Sequence, residues 1–260
     1  MSKFELSADN YYSPEANMAY WSASAVKSML NCPAAALAEM RGEYTRPQNT
    51  ALLVGGYVDA HFEGTLDLFK AKHPEIFKRD GSLKAEFSKA DEMINRAEQE
   101  PVFMEFMEGE KQHIQTGTIF GIPFKAKYDV YQPGKRIVDL KTAKDMEPTY
   151  VPGQGKVTFA EAWNWPLQMA IYQELEGNKL PCYLAVVTKQ DPPDLEVVQI
   201  PQETLDTELA LLEEKLYFFN AVKIGAVAAP RCGHCAYCRA TKKLDGPKSL
   251  DDFNYLEETI

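Results

Sequence analysis

Apolar residues recur at helical spacing through the first part of the chain. Val26, Met29 and Leu30 share one face of a segment opened by Trp21-Ser22-Ala23-Ser24, whose serines supply helix caps. Cys32-Pro33 ends that helix, and an alanine-rich helix follows over 34–40. Tyr11-Tyr12-Ser13-Pro14 reads as a break, so no helix is expected before residue 20. Val54, Val58, Phe62, Leu66 and Phe69 predict one long helix over 50–72. Leu83, Phe87, Ala90, Ile94 and Ala97 predict another over 82–100, with a short helix over 101–107.

The period then drops to two. Residues 112–120 read as a strand, and 121–141 as two more joined at Gln132-Pro133-Gly134. Phe124, Ala126, Tyr128 and Val130 alternate with Lys125, Lys127 and Asp129; Val138 and Leu140 alternate with Ile137, Asp139 and Lys141. Residues 143–157 are rich in Pro and Gly and read as irregular, either a substrate-facing flap or a surface loop. Trp163, Leu167, Ala170, Ile171 and Leu175 predict a helix over 159–177, which Pro166 starts or kinks. The apolar run 181–189 reads as a strand buried on both faces, 195–200 as a further strand, and 204–223 as an amphipathic helix. The order predicts an α/β core, a mixed sheet flanked by helices. The whole chain, 1–260, is expected to be one domain, with N-terminal helices over 22–45 and a cysteine-bearing tail over 230–260.

Candidate chemistry gathers on the central hairpin. Asp139 and Lys141 must share one face of their strand, and pairing of the two strands can bring Asp129 to the same face. Charges on so apolar a hairpin are costly unless they pair or hold a metal. Carboxylate oxygens suit Mg²⁺ or Mn²⁺, and a neighbouring lysine suits a phosphate or an attacking water. The plain alternative is a solvated face of an antiparallel sheet. Gln168 and Tyr172 are four apart on their helix and project together. His61 lies at the edge of its helix's apolar face, where a hydrogen-bonded core histidine is the ordinary reading; Glu63 falls on another face.

Composition narrows the classes. The chain has 260 residues, is 45% hydrophobic and 25% charged, and contains no apolar run long enough to span a bilayer as a helix. The N-terminus lacks a hydrophobic signal core, so a cytoplasmic location is expected. A net charge of −10 argues against a protein that coats nucleic acid, but not against one whose basic residues line a single groove beside metal ions.

Five cysteines fit a reducing compartment better than a disulfide framework. Cys232, Cys235 and Cys238 form a Cys-x₂-Cys-x₂-Cys run, a strong soft-metal signal. The fourth ligand is either His234, inside the run, or Cys32, if the two ends of the chain meet; zinc and metal-free reduced thiols both remain open. Cys182, on an apolar strand, is expected to be inert core.

Taken together, Asp129, the Asp139-Leu140-Lys141 tripeptide, the upstream His61 and the downstream Gln168-x-x-x-Tyr172 resemble the PD-(D/E)XK nuclease superfamily, in its RecB-like and RecE-like (exodeoxyribonuclease VIII-like) branch. Asp139 stands where many members carry Glu. The resemblance covers residues 22–244 and implies a restriction-endonuclease-like αβββαβ core. It implies that His61, Asp129, Asp139 and the Leu140 carbonyl hold Mg²⁺ or Mn²⁺, with Lys141, Gln168 and Tyr172 in the catalytic machinery. Cluster-bearing RecB-like members use one early and three late cysteines for a 4Fe–4S cluster, which implies that role for Cys32, Cys232, Cys235 and Cys238. The implied activity is a phage- or prophage-type exonuclease that degrades linear duplex DNA from its ends to 5′-phosphate products. Such enzymes act in recombination beside a RecT-type single-strand annealing protein, often as homo-oligomers. A non-catalytic metal–thiol binding module and an endonuclease of the same superfamily are the alternatives.

Overall fold

The computed structural model describes residues 4–250, so residues 251–260 of the expected tail lie outside the described residues. The chain opens with three short helices, α1 (Pro14–Ala19), α2 (Ala23–Asn31) and α3 (Pro33–Met40). Next come α4 (Thr50–Phe62), α5 (Leu66–Lys72), α6 (Ala85–Glu98) and α7 (Pro101–Phe106). Three strands follow, β1 (Glu110–Ile119), β2 (Ile122–Gln132) and β3 (Arg136–Ala143), then a small hairpin of β4 (Thr149–Val151) and β5 (Gly155–Val157). The order closes with α8 (Trp165–Glu176), β6 (Cys182–Thr188), β7 (Leu195–Gln199), α9 (Gln202–Lys223) and α10 (Ala236–Ala240).

The central sheet has five strands in the order β1-β2-β3-β6-β7. β1, β2 and β3 form an antiparallel meander, α8 crosses over so that β6 pairs parallel to β3, and β7 returns antiparallel. Helices cover both faces. One core layer joins the sheet to α2, α3, α8 and α9 through Trp21, Phe124, Leu184, Met169 and Leu216. The other joins it to α4, α6 and α7 through Val58, Met93, Phe103, Val138 and Val187. This is the mixed sheet flanked by helices that the hydrophobic pattern predicts, in the αβββαβ order of the resemblance.

Four local readings differ. A helix does precede residue 20: the Ser13 side chain caps α1 and Pro14 occupies its first turn, where a missing N–H costs nothing. The helix expected over 50–72 stops at Phe62, because Gly64 takes a left-handed φ of +76° and turns the chain into α5. The stretch 143–157 is not wholly irregular, since it contains the β4–β5 hairpin. Asn164, at φ 52°, separates a short 3₁₀ turn from α8, with Pro166 inside the first turn of the helix.

The strict period of two also fails, and it fails at the functional position. β2 and β3 pair at Gln132↔Arg136, Tyr131↔Ile137 and Val130↔Val138, where the ladder stops. The next two positions in that register are Asp129 and Asp139. Asp129 Oδ2 instead accepts the Leu140 N–H at 2.9 Å, and the strands part. Tyr128 and Val130, two apart, pack in opposite core layers, so β2 turns over at Asp129. Opposite it in β1, Gln112 has a φ of 53°. The opened fork is filled by the N-terminal segment: the Trp21 N–H donates to the Pro123 carbonyl at 2.8 Å, and the Lys125 N–H to the Trp21 carbonyl at 2.7 Å. That contact leads directly into α2 and lays it over the fork.

Gly109, just before β1, has a φ of +130°, and a Cβ there would stand 2.6 Å from the Tyr131 carbonyl oxygen. Gly109→Ala is expected to cost about 2 kcal/mol through strain and clash, read as a lower denaturant midpoint; an unchanged midpoint would contradict this packing.

Candidate active site

Asp139 is almost wholly buried, at 1% exposure. Its Oδ1 accepts a hydrogen bond from Gln168 Nε2 at 2.8 Å, and its Oδ2 meets the Lys141 ammonium. Burial alone would lower the Lys141 pKa, but Asp139 and Asp129 outweigh it and hold the ammonium above its ordinary value. β3 runs between β2 and β6 in the sheet interior, which explains why a charged pair here is desolvated.

Asp129 sits across the fork. Besides the Leu140 N–H, it faces Gln112 Nε2 at 3.4 Å through Oδ1. Burial first, then Asp139 and Asp59, push its pKa well above the ordinary carboxylate value. Asp59, from α4, is raised to about 7 by burial, with Asp139 and Glu63 adding to the shift and Lys141 and Lys127 opposing it.

A hydrogen-bond relay steadies Asp139. Gln168 Nε2 also donates to the Tyr172 hydroxyl at 3.0 Å, and that hydroxyl donates to the Lys127 carbonyl at 3.2 Å. The Gln168 amide oxygen accepts from Lys27 Nζ at 2.7 Å. Burial and the nearby Lys141 bring Lys27 down to about 7, with Asp139 opposing. Asp139 is thus held from two sides, by Lys141 on its own strand and by a Lys27–Gln168 relay between α2 and α8.

Besides a small cavity that it shares with Glu63, Asp129 and Leu140, Asp59 borders two sizeable ones. One, of about 270 Å³, is lined by Ser22, Ser24, Lys127, Asp129 and Gln168 among others. The second, of about 530 Å³, is lined by Gly55, Lys141, Thr142, Trp163 and Lys189 among others. Each cavity sets lysines beside carboxylates: Lys125 and Lys127 with Asp59, Glu63 and Asp129 in the first, and Lys141, Lys144 and Lys189 with Asp59, Asp145 and Glu147 in the second. Asp59 and Asp129, pushed toward protonation by burial and by neighbouring carboxylates, together with Asp139 beside one ion-paired lysine, are a donor set that a divalent cation suits.

The sequence-based site is brought together with one exception. Asp129, Asp139, Lys141, Gln168 and Tyr172 converge; at Leu140 it is the N–H that meets Asp129, not the carbonyl expected as a metal ligand. His61 does not join them: its Nε2 bonds Glu98 on α6 at 2.8 Å. The reason is helix geometry. At about 100° per residue, residue 61 lies nearly opposite residue 59, whereas Asp59 and Glu63 are four apart on one face. Both of these border the smaller cavity, so Glu63, which the sequence reading set on another face, is at the site. Asp59, Glu63 and Lys27 are the residues that sequence reasoning missed. The Gly55-x-x-x-Asp59-x-x-x-Glu63 spacing was the available signal: a Cβ on Gly55 would stand 3.4 Å from Thr142 Oγ1, so that face of α4 lies against β3.

The cysteines form a separate site. Cys32 reaches the late run: its Sγ is 3.6 Å from Cys238 Sγ, and Cys232 Sγ is 3.9 Å from Cys238 Sγ. All four sulfurs lie within 4.8 Å of one another, the one such set of metal-ligating side chains among the described residues, and His234 is not part of it. Cys182 is buried in β6, where burial first and Asp139 next push its thiol up to about 12.

No helix among the described residues is long and apolar enough to cross a membrane. No curated protein matches the chain. Among solved structures, a "putative exonuclease" from Eubacterium rectale is 38% identical, covering 98% of this chain and 100% of its own, with a TM-score of 0.95. A second, SSO0001, aligns over 75% of this chain and 87% of its own at 14% identity and a TM-score of 0.30, too low to bear on the fold. The family model described as a PDDEXK-like domain of unknown function (DUF3799) matches residues 22–241. With that match spanning most of the chain, over the same elements that build the forked site, the protein belongs to the PDDEXK-like DUF3799 family.

Proposed function

We propose that the protein is a metal-dependent exodeoxyribonuclease that hydrolyses linear duplex DNA from its ends and leaves 5′-phosphates. The observation that carries the reading is the buried Asp139–Lys141 pair at the mouth of the β2–β3 fork, beside Asp129 and Asp59. The exonuclease name of the Eubacterium rectale relative supports the same activity. Asp59, Asp129 and Asp139 would hold one or two divalent ions, Mg²⁺ or Mn²⁺. Such ions supply a stronger water nucleophile and neutralise charge on the phosphoryl oxygens. Lys141 supplies a fixed positive charge at the point where negative charge develops on the phosphate, and orients the water. Gln168 fixes the Asp139 carboxylate, while Tyr172 and Lys27 fix Gln168. Lys127, Lys144 and Lys189 would meet phosphates of the DNA backbone once bound divalent ions offset the carboxylates that line the same cavities. The RecE-like resemblance extends the proposal to a cytoplasmic, phage- or prophage-type recombination nuclease that works as a homo-oligomer beside a RecT-type annealing protein.

The test is digestion of linear and covalently closed duplex DNA with Mg²⁺. Loss of the linear form alone supports an end-dependent enzyme. Cutting of the closed circle reassigns the site to an endonuclease, and inactivity with Mg²⁺ and Mn²⁺ alike contradicts the reading. Lys27→Met, which removes the donor to the Gln168 oxygen, is expected to lower kcat/KM about tenfold, the worth of one charge-assisted hydrogen bond. A rate equal to wild type would show that the relay is not needed.

A further inference from the structure

The cysteine site lies apart from the carboxylates, and its metal does not depend on the nuclease reading. The resemblance assigns these thiols to a 4Fe–4S cluster, but their spacing does not fit one. In a cubane each thiolate binds a different iron, so the four sulfurs surround the whole cage and stand well apart. Around a single zinc ion, Zn–S bonds of about 2.3 Å place tetrahedral ligands about 3.8 Å from one another. The observed separations, 3.6 Å for Cys32–Cys238 and 3.9 Å for Cys232–Cys238, with all four sulfurs inside 4.8 Å, are those of the smaller tetrahedron.

We propose that Cys32, Cys232, Cys235 and Cys238 form a mononuclear four-thiolate zinc site that staples the α2–α3 junction to the C-terminal segment. The surroundings are built for thiolates. The Cys235 N–H donates to Cys232 Sγ at 3.3 Å and the Cys238 N–H to Cys235 Sγ at 3.4 Å, second contacts that orient ligands and spread their charge. Cys32 and Cys238 are buried against Ala34 and Ala35. The Ala34 N–H donates to the Pro230 carbonyl at 3.0 Å, so the two segments already meet through backbone. The guanidinium of Arg231 donates to the Cys238 carbonyl at 3.0 Å and brings positive charge beside a four-thiolate centre that would carry net negative charge. Cys32 is the residue between α2 and α3, and α2 carries Lys27. The staple therefore also anchors the helix whose lysine orients Gln168.

The experiment is metal and sulfide analysis of the full chain, expressed with iron and zinc both supplied and purified without oxygen. The expected result is about one zinc per chain with four thiolate ligands, no acid-labile sulfide and no visible colour. Replacing zinc with cobalt should give the intense visible bands of a tetrahedral thiolate site. Cys182→Ser should keep the metal, and Cys32→Ser should lose most of it. Iron with labile sulfide in the wild-type protein would overturn the proposal. So would a metal-free protein with four titratable thiols at this site, or one with a disulfide there. Each of these outcomes leaves the nuclease reading untouched, because that reading is tested at Asp139.

Discussion

Asp139→Asn is expected to reduce DNA hydrolysis on the order of a thousandfold, the scale set by removing one electrostatic anchor from a desolvated site. The substitution keeps the size of the side chain and can keep a contact to Gln168. It removes the charge that holds Lys141 and that a divalent ion needs. The Lys141 ammonium would be left buried without its nearest counter-charge, and its pKa would fall as the burial penalty came to dominate. The rate of nucleotide release from linear duplex, with an unfolding curve to confirm that the variant folds, measures this. A folded variant that retains a tenth or more of wild-type activity would remove Asp139 from the chemistry.

Asp59→Ala is expected to cost roughly a hundredfold, while His61→Ala should leave the rate within about threefold, since an exposed His–Glu pair contributes about 0–1 kcal/mol. The contrast follows from the faces of α4: Asp59 borders both cavities, and His61 is spent on Glu98. The reverse result, a dead His61→Ala and an active Asp59→Ala, would restore the histidine that the RecB-like resemblance implies and require α4 to rotate. Asp59 also gives a readout without turnover. Its folded pKa of about 7 lies above the ordinary 3.8, so the folded, metal-free protein holds the proton more tightly than the unfolded chain. The resulting stabilisation is fully present below the unfolded value and is lost as pH rises from about 4 through 7. Metal-free Asp59→Asn should therefore lose less stability than wild type over that interval. Mg²⁺ should recover stability for wild type at pH 7 and above, where the carboxylates are free to bind it.

Most of the architecture was legible because it follows from periodicity. Val26 and Met29 in α2, the alternation in β2, the apolar run of β6 and the stripe on α9 each declare an element and the face it buries. Asp139 and Lys141 were legible for the same reason, since two residues apart on a regular strand can only share a face. What escaped the sequence lay where regular geometry breaks or where distant segments meet. The turnover of β2 at Asp129 comes from the parting of the ladder and is invisible in a pattern that still alternates. The end of α4 at Phe62 depends on the left-handed Gly64, and Pro14 reads as a breaker until Ser13 is seen to cap the helix it begins. Nothing in the helical pattern around Lys27 marks it as a site residue. It reaches Gln168 only because Trp21 fills the fork and carries α2 across it, a contact between residues about a hundred positions apart in the chain. The resemblance pointed to His61, whereas the i, i+4 pair Asp59 and Glu63, nearly opposite it on α4, borders the cavity at the site.

The most direct test of the forked carboxylate site is Mg²⁺-dependent release of 5′-phosphorylated nucleotides from end-labelled linear duplex, with wild type and Asp139→Asn assayed side by side and a chelator control. The expected result is release by wild type that the chelator stops and that Asp139→Asn lacks. Equal release by both proteins, or release that persists with the chelator, would contradict the assignment of phosphodiester hydrolysis to this site.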